Sequence, residues 1–239
     1  MINDDGYFAQ YPAPIFEASC KDHIDTVINH STPYYGPLLY WLVRSCGATY
    51  VAEVGVCKGW ASYFMASGVK DNMTRWAVGE NGQYYGIDTS GYTKDLQEMM
   101  REKGLPVTMI QKDSYDLVPE DFKNDKFGLV FIDGWHSRQH LLKEVDFFYP
   151  KIHDTGRGYM VIHDCYGWVL EATLEVINNP KYKWEHIRFF DNCGLAILRR
   201  MDNYEERTQA NTWKEGPQDD IRPKDEFGGV DGLEDTVSE

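Results

Sequence analysis

Between residues 47 and 201, short apolar segments alternate with segments of helical periodicity, and this alternation constrains the fold more than any other feature. The apolar segments have the length of buried strands and occupy residues 49–54, 83–87, 107–111, 127–132 and 159–162. The helical segments between and after them occupy residues 60–69, 94–103, 136–148 and 168–178. Strands that alternate with helices form a parallel sheet covered on both faces, because each crossover lays a helix against the sheet.

The last two strand-like segments break this alternation. Residues 184–190 and 195–199 are joined by the short segment 191–194, which is the spacing of a β-hairpin. At least one of these two strands therefore runs antiparallel. We predict a doubly wound α/β fold with a mostly parallel, seven-stranded, Rossmann-like sheet and an antiparallel C-terminal hairpin.

Composition divides the 239 residues into three parts. Residues 1–46 form an N-terminal arm with a helix that begins near Ser31-Thr32-Pro33, since a hydroxyl residue followed by proline is typical of helix starts. Residues 47–201 form the ligand-binding domain. Residues 202–239 hold twelve acidic and four basic residues without an aliphatic run, which predicts a flexible acidic tail.

The net charge of −14 restricts the classes of partner. Nucleic acids and anionic membranes are bound by basic faces, whereas acidic residues here outnumber basic ones 38 to 24. No apolar stretch approaches the roughly 18 residues that span a bilayer. The five cysteines form no C-x-x-C pair, which argues against a zinc cage or a disulfide framework and suits a reducing cytoplasm. We expect a cytoplasmic protein that binds a small molecule, without a nucleic-acid or membrane partner, and a homo-oligomer is left open.

Polar residues recur where the predicted strands end. In open α/β sheets, ligands bind beyond the carboxyl ends of the strands. Those ends carry Gly55, Asp88, Asp113, Asp133 and the pair His163-Asp164. A single aspartate at such a place is commonly a helix cap or a turn residue. A row of them along one rim indicates a ligand site.

The first strand end argues against a dinucleotide. The segment reads Glu53-x-Gly55-x-x-x-Gly59 and lacks the G-x-G-x-x-G pattern that places a pyrophosphate at a helix N-terminus. An acidic residue beside this loop would repel a pyrophosphate. It would instead suit an amino group.

The next two strand ends offer hydrogen-bond partners for two further groups of a ligand. A carboxylate at Asp88 can accept the hydroxyls of a ribose. Asp113-Ser114 can accept a hydrogen bond from the amino group of an adenine. An amine, a ribose and an adenine without a phosphate site favour S-adenosylmethionine over NAD.

These motifs resemble those of the class I S-adenosylmethionine-dependent methyltransferases. Residues 53–59 are similar to the first motif of that family, Tyr85-Gly86-Ile87-Asp88 to its ribose motif and Lys112-Asp113-Ser114 to its adenine motif. Residues 127–136 are similar to its fourth motif, and the terminal hairpin matches its antiparallel seventh strand. The resemblance covers residues 47–200 and implies a set of cofactor-binding residues: Glu53, Gly55, Gly59, Asp88, Asp113 and Ser114.

Within that class, Ile-Asp-Gly-x-His at 132–136 followed by His163-Asp164 is similar to the cephalosporin-hydroxylase-like and macrolide-sugar O-methyltransferases. This resemblance implies Mg²⁺ or another divalent cation, with Asp133, Asp164 and His163 as its ligands. Sugar-modifying members often carry glutamate where this chain has His163. Histidine is a poor ligand for Mg²⁺ but acceptable for Mn²⁺ or Fe²⁺.

The predicted topology also brings Asp133 and Asp164 together. Their strands are expected to be neighbours about 4.8 Å apart, and two close carboxylates repel unless a cation or a proton lies between them. His136 is expected at the start of the next helix, where a neutral imidazole could accept the proton of a substrate hydroxyl. The alternative for His136 is a surface or cap histidine. Asp146, inside that helix, is interpreted as structural.

The sequence therefore predicts an S-adenosylmethionine-dependent O-methyltransferase that acts on a small hydroxylated molecule, such as a sugar or a sugar-bearing metabolite. Asp133 and His136 would be its catalytic residues, and the arm at 1–46 would cover the acceptor. Two alternatives stay open. One is an NAD-dependent oxidoreductase, and the other is a non-catalytic module that binds the cofactor.

Overall fold

The computed structural model describes residues 35–76, 81–91, 93–123, 126–190 and 194–203. The strands within these ranges are β1 Tyr50–Val54, β2 Gln83–Asp88, β3 Val107–Gln111, β4 Leu129–Ile132, β5 Tyr159–His163, β6 Trp184–Phe189 and β7 Leu195–Arg200. The α-helices are α1 Tyr35–Cys46, α2 Trp60–Trp76, α3 Thr93–Glu102, α4 Arg138–Phe148 and α5 Gly167–Asn178. Short 3-10 turns follow β3 and α4.

The strands form one seven-stranded sheet in the order β3-β2-β1-β4-β5-β7-β6. Strands β1 to β5 pair in parallel, and β7 runs antiparallel to both β5 and β6. The predicted doubly wound, mostly parallel sheet with an antiparallel C-terminal hairpin is confirmed. Because the strand order reverses between β1 and β4, the loops that follow these two strands diverge to opposite sides and leave a crevice between them.

Two element boundaries differ from the prediction in ways that matter for the site. The fourth helix begins at Arg138 and not at residue 136, because the Ser137 side chain accepts a hydrogen bond from the His140 N–H and caps the helix there. His136 therefore lies in the loop between β4 and α4. At the next strand, β5 continues one residue further than expected and includes His163.

Both faces of the sheet are covered by helices, as the near-continuous apolar strands require. Alternate residues of β1 and β4 face opposite layers: Ala52 and Val130 pack in the layer of α4 and α5, whereas Val51 and Leu129 pack in the layer of α1 and α2. All four side chains are fully buried. This two-sided packing fixes the height of β1 and β4, and with it the position of the loops at their carboxyl ends.

The expected division into an arm, a domain and a tail stays a prediction. Residues 1–34 and 204–239, which hold most of the arm and of the tail, lie outside the described residues, as does the helix start expected at Ser31-Thr32-Pro33. The helix of the arm is described as α1. Among the helices in the described ranges, none is long and apolar enough to cross a membrane.

Candidate active site

A cleft of about 490 Å³, open to solvent, lies at the carboxyl edge of the sheet between the ends of β1 and β4. Helix α1 contributes one wall and the loop after β1 another. The residues around it include Tyr35, Glu53, Gly55, Cys57, Asp133 and His163. The cleft therefore lies where the fold class places its ligand, and four of the predicted site residues line it.

The loop after β1 is held against the loop after β4. Gly55 has a φ of 86°, and a Cβ at this position would lie 2.0 Å from the carbonyl oxygen of Asp133. The N–H of Asp133 in turn donates to the carbonyl of Val54 at 2.8 Å. A side chain at position 55 would thus push the two loops apart, so glycine is required by contact as well as by its backbone conformation.

Asp88 shapes the same region from β2. Its carboxylate accepts the N–H of Cys57 at 2.8 Å and the N–H of Ser90 at 2.7 Å. Cys57 has a φ of 48°, a left-handed conformation that its N–H hydrogen bond to the Asp88 carboxylate supports. A carboxylate has about four lone-pair positions, so Asp88 can hold both loops and still accept the hydroxyls of a ribose.

Glu53 is a buried carboxyl beside the cleft, with 1% of its surface exposed. It accepts hydrogen bonds from the Ser62 hydroxyl at 2.6 Å and from the Tyr84 hydroxyl. Burial raises the pKa of Glu53 to about 8, although both hydrogen bonds oppose that rise. Glu53 therefore carries a proton at neutral pH, and a cationic group that entered the cleft would favour its ionised form.

Asp113 and Ser114 follow β3 and do not line the cleft. The Asp113 carboxylate caps the short turn after β3 by accepting the Tyr115 N–H at 2.8 Å. The Ser114 hydroxyl donates to Glu144 of α4 at 2.5 Å. The turn-residue alternative thus accounts for the contacts that Asp113 makes, whereas Ser114 is tied to a helix that the sequence did not connect with it.

Four charged groups meet at the ends of β4 and β5, and we call Asp133, His136, His163 and Asp164 the charged cluster. The His136 Nε2 lies 2.9 Å from the Asp164 Oδ2 and 3.5 Å from the Asp133 Oδ1. The His163 Nδ1 lies 3.0 Å from the Asp133 Oδ1 and 3.3 Å from the Asp164 Oδ2. The two carboxylates and the two imidazoles therefore alternate around one point.

The charged cluster brings together a set of ligand atoms that can hold a metal ion. One ligand atom each from Asp133, His136 and Asp164 lies within 4.8 Å of the other two. The predicted proximity of Asp133 and Asp164 is thus observed. His136 completes this set of three, while His163, the expected third ligand, contacts both carboxylates from the buried side.

The charges of the cluster shift the pKa values of His136, His163 and Asp164. Hydrogen bonds with Asp133 and Asp164 raise the pKa of His136 to about 10. Burial lowers the pKa of His163, but the same two carboxylates outweigh burial and raise it to about 9. Burial raises and the two imidazoles lower the pKa of Asp164, and its net shift is downward. At pH 7 both imidazoles are therefore protonated, and Asp164 is ionised beside them.

Asp164 reaches the cluster through an uncommon backbone conformation. Its φ is 51°, and the carbonyl of Asp164 accepts the Tyr166 N–H at 2.6 Å in a tight turn. A non-glycine residue in the left-handed region costs free energy and persists where the surroundings hold it. Here the hydrogen bonds from His136 and His163 hold the carboxylate in place.

Several residues at this edge were not identified from the sequence. The rings of Tyr35 and Phe131 make edge contacts with His163, with centroids 5.3 and 6.1 Å from that of the imidazole. Glu144 is the clearest omission. It shares a face of α4 with Leu141 and Phe148, so an acidic residue at helical spacing within an apolar face was the signal that could have identified it.

Comparison with known proteins identifies the domain that holds the cleft. A family model described as a methyltransferase domain matches residues 52–165, which run from β1 to just beyond β5. The chain therefore carries a methyltransferase domain over these residues. The matched residues carry both loops of the cleft and the whole charged cluster. No curated protein matches the methyltransferase sequence.

Solved structures share the fold of this methyltransferase at low sequence identity. Cofactor-bound Rv0187 from MTB superposes with a TM-score of 0.63 at 14% identity, over 82% of this chain and 94% of that chain. The O-methyltransferase TomG from Streptomyces achromogenes, involved in tomaymycin synthesis and solved with SAM, gives 0.57 at 15% identity over 72% and 81%. The SAH-bound methyltransferase PaMTH1 from Podospora anserina gives 0.57 at 11% identity over 76% and 87%.

Proposed function

We propose that this methyltransferase transfers a methyl group from S-adenosylmethionine to a hydroxyl of a small molecule, such as a sugar or a sugar-bearing metabolite. The observation that carries the proposal is the charged cluster beside the cleft. Two of its members, Asp133 and His163, line the cleft, so we expect an acceptor hydroxyl bound there to meet the carboxylates and imidazoles next to the cofactor. The proposal also agrees with the methyltransferase domain that includes these residues.

The cleft fits the cofactor. The cleft is open to solvent and is lined by residues of β1, β4 and the loop after β1. The buried Glu53 faces it, the loop at Gly55 forms one wall, and Asp88 holds that loop from the neighbouring strand. We assign these residues to cofactor binding. S-Adenosylmethionine supplies an activated methyl group together with its own leaving group.

The charged cluster fits a divalent cation. Asp133 and Asp164 offer carboxylate oxygens and His136 offers an imidazole nitrogen, a mixed set that suits Mn²⁺ or Fe²⁺ better than Mg²⁺. A bound cation supplies Lewis-acid chemistry and lowers the pKa of a hydroxyl that it coordinates. His163 would orient the two carboxylates from the buried side through the contacts described above.

His136 is proposed as the proton acceptor, and this role requires its pKa to fall below the value it has in the charged cluster. Paired with both carboxylates, it holds a proton at neutral pH and is a donor. The same Nε2 cannot both ligate the cation and accept a proton, so in this role Asp133 and Asp164 would hold the cation without His136. Their shared charge would lower the pKa of His136 and leave its Nε2 to accept the hydroxyl proton. The chain's larger contribution is positioning, because the braced loops fix the acceptor site relative to the cofactor site.

The oxidoreductase alternative loses its support. The order of a dinucleotide-binding sheet is 3-2-1-4-5-6 with parallel strands, whereas the strand next to β5 here is the antiparallel β7. The match of residues 52–165 to a methyltransferase domain also favours methyl transfer over oxidoreduction. The non-catalytic alternative predicts cofactor binding without methyl transfer, so a turnover measurement distinguishes it from the proposal.

The test combines a binding and a turnover measurement. Calorimetric titration should show binding of S-adenosylhomocysteine and no binding of NAD. Transfer of a labelled methyl group should then be measured across a panel of glycosides and phenols, with Mn²⁺ and with a chelator. The proposal expects methylation of a hydroxylated compound that the chelator suppresses. Binding of NAD in place of S-adenosylhomocysteine would contradict it, and cofactor binding without transfer to any compound would favour the non-catalytic module.

A further inference from the structure

Glu144 is a buried acidic residue in the middle of α4 that the proposed reaction does not use. Only 2% of its surface is exposed. It lies on the face of α4 that also carries Leu141, Val145 and Phe148, all of them in the core. Burying a carboxyl among apolar side chains costs free energy unless the group finds hydrogen-bond partners. Burial accordingly raises the pKa of Glu144 to about 7, although the hydrogen bond with Ser114 opposes the rise.

The carboxyl of Glu144 lies between two loops of the candidate site. Its Oε1 accepts the Ser114 hydroxyl at 2.5 Å, in the loop after β3. The same oxygen would lie 3.4 Å from a Cβ built on Gly134, in the loop after β4. One side chain thus contacts the segment assigned to adenine and lies close to the residue next to Asp133.

A second side chain on the same face of α4 also approaches the loop after β3. His140 lies four residues before Glu144, one turn along the helix. Its Nε2 is 3.6 Å from the Asp113 Oδ1. Neighbouring residues of the β3 loop therefore lie beside neighbouring turns of the helix that follows His136.

We propose that Glu144 is a positioning residue, which fixes the Ser114 segment for the cofactor and braces it against the loop that carries Asp133 and His136. This inference rests on the proposed function, because Ser114 is assigned to the cofactor only by that proposal. Glu144 acts through Ser114 and is not expected to contact the reacting atoms. Glutamine at position 144 keeps an oxygen acceptor for the Ser114 hydroxyl, whereas alanine removes it.

The test is the affinity for S-adenosylhomocysteine, measured by calorimetry beside the thermal midpoint. Glu144→Ala should weaken binding roughly tenfold, the effect of losing one buried hydrogen bond, and Glu144→Gln should stay close to wild type. Asn72→Ala is the matched control. Asn72 is a fully buried polar residue that donates to the carbonyls of Val43 and Ala48, away from the cleft. It should lower the midpoint without changing the affinity.

A double variant keeps the inference testable if Glu144→Ala folds poorly. Ser114→Ala and Glu144→Leu, which keeps an apolar side chain of similar size in the core but offers no hydrogen-bond acceptor, report alone and combined whether the two side chains act as one unit. Non-additive losses of affinity support the brace. Unchanged affinity in Glu144→Ala and Ser114→Ala, fully additive losses, or an equal loss in Asn72→Ala would overturn it. A wild-type protein that does not bind S-adenosylhomocysteine would instead contradict the proposed function itself.

Discussion

The carboxyl ends of β1, β2 and β3 with the loops that follow them are here called the cofactor loops. These loops and the charged cluster at the ends of β4 and β5 use acidic residues in opposite ways. In the cofactor loops, Asp88 and Asp113 accept backbone N–H groups and Glu53 accepts two hydroxyls. In the charged cluster, Asp133 and Asp164 face imidazoles. The acidic residues of the cofactor loops therefore use their hydrogen bonds to stabilise the conformation of the protein itself.

The difference shows that residue type and strand-end position do not define a role. A carboxylate that holds backbone N–H groups preorganises a surface, and the ligand meets the loop it has shaped. A carboxylate whose partners are titratable side chains can exchange those partners for a cation or a substrate. We therefore expect substitutions in the cofactor loops to alter stability and cofactor affinity, and those in the charged cluster to alter turnover.

The largest expected effect is in the charged cluster. Asp164→Asn removes a ligand charge and the partner of His136, so methyl transfer should fall by about 10²- to 10⁴-fold, while the affinity for S-adenosylhomocysteine stays near wild type. Steady-state turnover and calorimetry on the same preparation measure the two quantities. Glu171→Gln, an exposed carboxylate on α5, is the control. Comparable losses of turnover and of cofactor affinity would erase the proposed division between the two regions.

The second largest effect is expected where the loop after β1 contacts the loop after β4. Gly55→Ala introduces a Cβ 2.0 Å from the Asp133 carbonyl at a φ of 86°, so the free energy of unfolding should fall by about 3 kcal/mol. Urea unfolding measures this change. Gly91→Ala, where a Cβ meets nothing within 4 Å, should stay within about 0.5 kcal/mol of wild type. A Gly55→Ala protein as stable as the Gly91→Ala protein would show that the loops are not held together.

Glu53 predicts a dependence of stability on pH. Its pKa rises from an ordinary value of 4.5 to about 8 in the folded chain. Between these values the unfolded chain releases the proton and the folded chain keeps it, so this contribution to stability declines as pH rises, by up to about 1.4 kcal/mol per pH unit. Urea unfolding from pH 5 to pH 8 should show a shallower decline in Glu53→Gln. Identical slopes in both proteins would mean that Glu53 is ionised in the cleft.

The smallest effect is expected at Asp146, which the sequence interpretation treated as structural. Its carboxylate pairs with Lys181 and accepts the Tyr182 hydroxyl at 2.5 Å, and its side chain is 52% exposed. Exposed ion pairs contribute roughly 0.2–1 kcal/mol. Asp146→Asn should therefore lower the free energy of unfolding within that range and leave cofactor binding unchanged. A loss of binding would extend the functional region down α4.

The sequence predicted the fold because the fold depends on patterns that are local. Apolar strands, helical periodicity and the hairpin spacing at 191–194 are properties of short segments, and the sheet order follows from how such segments pack. Element bounds were less accurate. Helix α2 continues to Trp76, seven residues beyond the predicted end at residue 69, because tertiary packing sustains a helix whose apolar pattern has already weakened.

The sequence predicted which strand ends carry the site, but it did not predict the side-chain contacts between them. The strand ends identified Asp133 and Asp164, and the structure brings them together. The meeting of His136 with Asp164 depends on where α4 begins and on the left-handed conformation of Asp164, and neither follows from a local pattern. The contact of Glu144 with Ser114 joins residues 30 positions apart and required the folded chain.

The measurement that tests the account most directly is a calorimetric titration of Mn²⁺ into the wild-type protein and into Asp133→Asn, each saturated with S-adenosylhomocysteine. The account predicts a single Mn²⁺ site in the wild type that is lost in the variant, because the charged cluster supplies the ligands. The absence of a site in the wild type, or equal binding by both proteins, would contradict it.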